Sequence, residues 1–548
     1  MSYQTTLFNN KIENESNDNI MNYDAKSYSK FYRMHKYWSK KPYNIIRHFI
    51  DKYSNENDIV LDPFNGSGVS ISESIFLGRK GFGIDINPSA IFITEQQLSR
   101  VSIDEFENEF KKIEKELKDK INSFYSFTKE NKKMIASHYI WNEGKITEIW
   151  YKNGRKKGII TPNNEDYELS NSFSYDKIPF FIPKEHFFTN SRINTNEEMS
   201  VFNLFTPRNL TALSMIMNRI EKISDVTIKN LFKLCFTAAT GQASKMVFVI
   251  NRKDKNGNTR KDVGSWVIGY WIPKENMEIN AWNCFNNRYN TILKAKKEYK
   301  KMNISINNAK DFNELVNGCN LLLLNDASQN ALKNIPSNSV DYIITDPPHG
   351  DRQPYLELSL MWNAWLNKKD INYENEIIVS NAKKRDKNID NYNMLINEVL
   401  TEIERVLKPG KYFSLMFNSI DDKTWFNLIM HINSLNFSIE KIESLSYSAN
   451  SVVQDNRKRG LKTDFILTFK KIKKESQEIS IILIKENHEM FINKITQYLN
   501  ESFNGLETYE ILNLLVQNFL KDYKLFKLSE LMTFLDKNFK YENGKWIV

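Results

Sequence analysis

Four short strand-like runs punctuate the chain: Ile59–Leu61, Lys80–Ile84, Asn320–Leu324 and Val340–Thr345. Each is too brief for a helix, and each runs into an acid, respectively Asp62, Asp85, Asp326 and Asp346. Helical spacing from Val69 to Leu77 separates the first two, and strands alternating with helices predict parallel pairing. Parallel strands bring all four carboxylates to one edge of one sheet, where open α/β sheets place their ligands. Downstream, helices are expected over Tyr355–Leu366 and Asn391–Leu407, the second closed by Pro409-Gly410, before a strand at Tyr412–Phe417. Phe437–Leu445 and Asp464–Phe469 lie close enough to form an antiparallel edge, with Arg457-Lys458-Arg459 in their connection. The whole reads as an α/β fold built on a doubly wound, mostly parallel sheet.

Between the two halves of that sheet the pattern changes. Asp104–Lys129 has a heavily charged helical period, and Thr206-Pro207 supply an N-cap and first helical position for a helix through Ile223. Two Asn-Gly pairs, tolerant of positive φ, predict hairpins. Ile146–Tyr151 and Gly158–Thr161 flank Asn153-Gly154, and Lys245–Asn251 and Val263–Trp271 flank Asn256-Gly257. Both tips are basic, with Lys152, Arg155, Lys156 and Lys157 on the first and Arg252, Lys253, Lys255, Arg260 and Lys261 on the second. Such tips suit either phosphates or plain solvation, and the run Lys383–Lys387 offers the same two choices. The expected organisation is a mobile segment 1–27, a first half-core 28–100, a large mixed α+β insertion 101–318, a second half-core 319–473, and a small helical or winged-helix-like appendage 474–548 whose final segment Lys540–Val548 turns at Gly544-Lys545.

Two of the strand ends carry recognisable chemistry. In Asp346-Pro347-Pro348-His349, two rings without an N–H end the ladder and freeze the backbone. A carboxylate and carbonyl oxygens are thereby held still, a corner that grips an amino group. In Asp62-Pro63-Phe64-Asn65-Gly66-Ser67-Gly68 the glycines permit a tight turn and close backbone approach to a ligand at a helix N-terminus. Asp85 falls about 20 residues further on, the offset at which an acid takes the two hydroxyls of a ribose. Plain strand-to-helix turns also use paired glycines, so the coincidence of four strand ends carries the argument, not the loop alone.

These residues carry a resemblance. Leu61–Gly68 is similar to the cofactor loop of S-adenosylmethionine-dependent DNA amino-methyltransferases, and Asp346–His349 resembles their catalytic Asp-Pro-Pro-aromatic tetrapeptide. The likeness extends to His35–Tyr43, to Tyr355–Ser359, to Trp362-Asn363 and to Val406–Gly410, so that it spans about 31–100 and 319–473. The motif order matches the branch whose target-recognition region interrupts the core. The resemblance implies a Rossmann-like methyltransferase sheet with S-adenosylmethionine on the loop that opens at Asp62. Gly66 and Gly68 would approach its methionine portion, Asp85 its ribose, Asp326 its adenine amino group, Phe64 its side, and Lys41 its carboxylate. For Lys41 a solvated loop is the competing reading. The fourth residue of the tetrapeptide is usually Tyr, Phe or Trp, stacked on the target base, and here it is His349. Imidazole is flat and titrates near neutrality, so stacking and a loss of activity at lower pH are both expected of it.

The chemistry stands without the family. An exocyclic amine is a poor nucleophile because its lone pair is delocalised into the ring. Acceptors on its N–H groups, Asp346 and the Pro347 carbonyl, favour a pyramidal nitrogen able to attack a sulfonium methyl. The base must leave the duplex, with His349 and Tyr355 as stacking partners. A net charge of +9 and a pI near 8.9 favour a polyanionic partner, here double-stranded DNA. Three cysteines and seven histidines lack the spacing of a metal site, so no metal is expected. No apolar stretch approaches a membrane span and the N-terminus lacks the build of a signal peptide, so a cytoplasmic enzyme is expected. The resulting expectation is a site-specific DNA methyltransferase, with adenine N6 favoured over cytosine N4 by the family's preference when Asp opens the tetrapeptide. An RNA guanine-N2 methyltransferase and a DNA-binding subunit with a lapsed pocket remain as alternatives. No nuclease constellation is legible, so any restriction endonuclease partner is a separate chain. Recognition sequence and oligomeric state leave no mark on these residues.

Overall fold

A computed structural model describes residues 25–548 apart from 39, 155, 254–256, 258, 267–268, 351–352, 418–421, 447–462, 474–478 and 503. All but the last three residues of the expected mobile segment 1–27, together with Arg155, Lys255 and Arg457-Lys458-Arg459, lie outside the described residues.

Eight strands form the central sheet, in the spatial order Asn308–Ala309, Leu321–Leu324, Lys80–Ile84, Ile59–Asp62, Val340–Thr345, Leu407–Phe417, Thr463–Lys471, Phe437–Ser446. The first six pair in parallel and the last two add as an antiparallel edge. Ile59–Asp62 and Val340–Thr345 are buried at every position, as strands covered on both faces must be. Alternate residues serve opposite layers. Val60, Tyr342 and Ile344 pack with the helices Tyr43–Tyr53 and Val69–Phe76, while Ile59, Leu61 and Ile343 pack with Ile389–Val406 and Asp422–Ser434. The chain winds one way from Ile59–Asp62 and the other way from Val340–Thr345. These two neighbours are therefore the topological switch point, the crevice where doubly wound sheets bind ligands.

Three elements differ from expectation. The helix expected over Tyr355–Leu366 is two, Tyr355–Leu358 and Leu360–Trp365, joined at Ser359, whose hydroxyl accepts a hydrogen bond from Asn87 Nδ2 (2.7 Å). Pro409-Gly410 do not close a helix. The helix stops at Val406, and the pair lies in a bulge of the next strand, where residues 407 and 412 oppose 340 and 342. A bulge is where a strand tolerates both residue types. The charged helix runs Ile103–Ser123, and Ser126–Lys129 turns into a strand against Lys132–Asn142 because Phe127 is buried there.

The insertion is built on a seven-stranded antiparallel sheet ordered Lys156–Ile160, Lys145–Asn153, Lys132–Asn142, Glu275–Ile279, Val247–Lys253, Thr259–Trp266, with Ser126–Lys129 beside Lys132–Asn142. The strands that flank each Asn-Gly pair are paired antiparallel, as expected. Lys157 Nζ donates to the Lys261 carbonyl (2.9 Å), so a side chain links the two edge strands and the sheet curls into a half-barrel. Thr206 caps the helix Pro207–Glu221, as expected, by accepting from Asn209 N. Beyond the core, the helices His488–Glu501, Thr508–Lys521 and Leu528–Asn538 precede a hairpin, Lys540–Glu542 with Lys545–Ile547, pinned by the buried Trp546. Among the described residues no helix is long and apolar enough to cross a membrane.

Candidate active site

A cleft opens at the C-terminal ends of the central strands, and its lining includes Lys41, Asp62, Phe64, Gly66, Asp85, Asp346 and Pro348. Residues some 280 positions apart, Gly66 and Asp346, thus share one cavity. The glycine loop is tied to the next strand end, because Gly66 N (2.7 Å) and Asn87 N (2.8 Å) both donate to the Asp85 carboxylate. Burial outweighs these donors and pushes the Asp85 carboxyl up to about 7. Asp62 accepts from Thr345 Oγ1 (2.7 Å), Phe64 N (3.0 Å) and Ser70 Oγ, and burial still pushes it up to about 6. Gly68 does not reach the cleft lining. It starts the helix Val69–Phe76 at φ +73°, where a Cβ would sit 2.3 Å from Thr94 Oγ1.

At the catalytic corner, Tyr392 OH donates to the Pro348 carbonyl (2.6 Å), fixing the second proline from behind. Lys41 Nζ lies 3.0 Å from Asp346 Oδ2, and His349 Nε2 lies 3.0 Å from Asp346 Oδ1. Lys41 therefore stands in the cleft, but on Asp346. The solvated-loop alternative for it is overturned, since its side chain is 11% exposed. His349 meets Phe417 edge-on, with centroids 5.1 Å apart and planes at 70°, and neither it nor Pro347 is part of the cleft lining.

Asp326, like Gly68, Pro347 and His349, is not part of the cleft lining. Its side chain is exposed, accepts from its own neighbour Ala327 N (2.7 Å), and leaves the lining to Ala327, Ser328 and Gln329. Other residues fill the rest, among them Tyr355, expected as a stacking partner, and Tyr37 of the resembling segment His35–Tyr43. Tyr37 and Tyr355 border the cleft with ring planes within 9° and centroids 6.2 Å apart. Asn87 joins Tyr37 OH to Ser359; its Asn-Pro step, an N-cap signal just after Asp85, was a legible clue. Asn375, Glu376 and Ile377 close the far wall, and nothing local announces them. Glu376 accepts from Leu356 N (3.0 Å) and from Arg385 (2.6 Å), whose other nitrogen binds Glu357 (2.8 Å). Arg385 is thus buried between carboxylates, a correction to the expectation of a basic run facing phosphate or solvent.

Four carboxylates, Asp62, Asp85, Asp346 and Glu376, line a cleft that one lysine lines. The balance favours a cationic ligand. Among the described residues no cluster of His, Cys, Asp and Glu could hold a metal ion.

Residues 4–96 match a family model described as DNA methylase, of the N6/N4 type. The chain is similar to the type II methyltransferase M.MjaII of Methanocaldococcus jannaschii, 23% identical over 352 residues that make up 59% of this chain and 60% of that protein. It is also similar to the type II methyltransferase M.HpaI of Haemophilus parainfluenzae, 32% identical over 105 residues, 19% of this chain and 31% of that protein. The chain thus spans about 60% of the first relative and about a third of the second. A putative DNA modification methylase of Thermus thermophilus, solved with S-adenosyl-L-methionine, aligns over 40% of this chain and 96% of its own at 12% identity and a TM-score of 0.16. The fold described above rests on strand order and not on that overlay.

Proposed function

We propose that this chain, a member of the N6/N4 DNA methylase family, is a site-specific DNA methyltransferase that takes a methyl group from S-adenosylmethionine to the exocyclic amine of a flipped base, adenine N6 in the first instance. One observation carries the reading: the glycine loop, Asp85 and Asp346 open into a single cleft at the switch point of the sheet. The cleft suits the donor, since its excess of carboxylates meets a sulfonium and an ammonium. When bound, the donor supplies an electrophilic methyl on sulfur. Asp85 would hold the ribose hydroxyls, and Gly66 and Phe64 would border the methionine portion and the ring system.

The chain's own part is to prepare the amine. Asp346 would accept from one N–H of the amine at the cleft wall, and the Pro347 carbonyl, set back from the lining, would accept from the other once the base enters, with the two prolines holding the backbone still. Tyr37 and Tyr355 offer the flat surfaces on which an extruded base stacks. The insertion, with its two hairpins, is the part left to read the target sequence. The type II relatives motivate a further expectation, a restriction endonuclease encoded as a separate chain.

The test is to incubate the full chain with methyl-labelled S-adenosylmethionine and unmethylated duplex DNA or tRNA, then to analyse the nucleosides. N6-methyladenine from DNA is the expected product and Asp346→Ala is expected to abolish it. N4-methylcytosine would correct the base, label in tRNA alone would correct the substrate, and no label in either would refute the reading.

A further inference from the structure

His349 occupies the place of a stacking ring without standing where a base stacks. It does not contribute to the cleft lining, its side chain is 10% exposed, and Phe417 meets it edge-on. The parallel faces at the cleft belong to Tyr37 and Tyr355. What His349 does offer is a ring nitrogen, Nε2, 3.0 Å from Asp346 Oδ1 and on the opposite carboxylate oxygen from Lys41. Asp346 therefore sits between the Lys41 amine and the His349 imidazole.

We propose that His349 is a proton relay behind Asp346, carrying away the proton that the target amine sheds on methylation. The inference rests on the methyl-transfer reading. In that step the N–C bond forms as the methyl–sulfur bond breaks, with the electron pair passing to sulfur, and the nitrogen is left with one proton in excess. Asp346 takes that proton and hands it to the lone pair of neutral His349 at Nε2, and the imidazolium so formed sheds its other proton from Nδ1, Nε2 itself being closed to solvent. The carboxylate is thereby restored to its anionic form for the next amine. A Phe, Tyr or Trp in this place has no base at neutral pH, whereas imidazole does. Other charged and titratable groups face the pair, Asp62 among them, a carboxylate whose charge repels that of Asp346. Lys41 supplies a counter-charge to Asp346, and the Tyr392 hydroxyl, pushed far up by burial, stays a neutral donor to the Pro348 carbonyl.

The experiment compares the full chain with its His349→Gln, His349→Ala and His349→Tyr variants in single-turnover methylation of unmethylated plasmid DNA between about pH 5.5 and 8. Calorimetric binding of S-adenosylmethionine serves as the check that each is folded. The wild-type rate is expected to rise with pH. With S-adenosylmethionine saturating at every pH, all three variants should lose roughly 10²-fold or more, with flat profiles and an unchanged KM for DNA, and added imidazole should restore His349→Ala. A readout free of cofactor and DNA is the ¹³C-histidine NMR signal that vanishes in His349→Gln. It should titrate, and its midpoint should move when Asp346→Asn is introduced. A His349→Tyr enzyme as fast as wild type across that range overturns the relay alone. A wild type that methylates no DNA overturns the relay and the methyl-transfer reading together.

Discussion

A carboxylate buried at a strand end needs something to meet its charge, and in the cleft two of them are held largely by burial against that charge. Asp62 is pushed up to about 6 and Asp85 to about 7, desolvation being the first cause in both. The sign follows from linkage. Folding raises these groups above the ordinary value of 3.8, so the folded chain binds the extra protons and loses stability as pH rises from about 4 to about 7. A cationic ligand whose hydroxyls need an ionised Asp85 gains over the upper part of the same window. We expect S-adenosylmethionine to bind about tenfold more tightly at pH 8 than at pH 6, and Asp85→Asn to bind weakly with no such slope. Calorimetry across that range checks it, and a flat wild-type profile would exclude Asp85 from the ribose. Asp62, Asp85 and Asp346 were legible one residue at a time because a strand end, its acid and the following turn are neighbours in the chain. Asp326 was not, since an exposed acid and a cleft-lining acid look the same until the turn after it is built.

Among elements, the segment Tyr373–Lys387 departs most from its sequence. Its basic run looks like a loop for solvent or phosphate, yet Arg385 lies between Glu357 of the Tyr355–Leu358 helix and Glu376 of the cleft wall. Lys387 turns inward as well, to the Glu374 carbonyl and Asn391 Oδ1. The partners lie 28 and 9 residues away, and burying two carboxylates makes a buried cation obligatory. Arg385→Met should therefore leave both charges uncompensated and lower the stability measured by urea unfolding by about 3–5 kcal/mol. Binding of S-adenosylmethionine should weaken too, because Glu376 holds Leu356 N beside Tyr355. A variant as stable as wild type would show that the triad is incidental. Pro409-Gly410 teach the same lesson more mildly. The pair stops a helix in isolation, but lying in a bulge beside Val340–Thr345 it continues a strand.

Taken whole, the molecule divides its charge. The cleft is lined by an excess of carboxylates, while the net +9 is carried elsewhere. Of the expected basic tips, Lys157 sits 3.4 Å over the Trp150 ring, and Lys261 pairs with Glu148 and Glu275, so the ammonium groups of both serve the half-barrel. Lys152, Lys156, Arg252, Lys253 and Arg260 are exposed. If these meet DNA phosphates, replacing all five by Ala should weaken duplex binding and reduce the slope of log K against log salt by about 0.9 per lost contact, with S-adenosylmethionine binding unchanged. An unaltered salt slope would place the DNA on another surface. By itself the sequence determined the strands, the acids at their ends, the glycine turn, the hairpins and the interruption of the core. Each of these is written in local periods and turn chemistry. Only the tertiary structure decided which cation meets which carboxylate, that Tyr37 and Tyr355 line the cleft together, and that the His349 ring stands at 70° to Phe417 with a nitrogen 3.0 Å from Asp346. Those outcomes depend on through-space distances between segments that no local pattern relates, and on burial, which sets the cost of a charge only after the layers have closed.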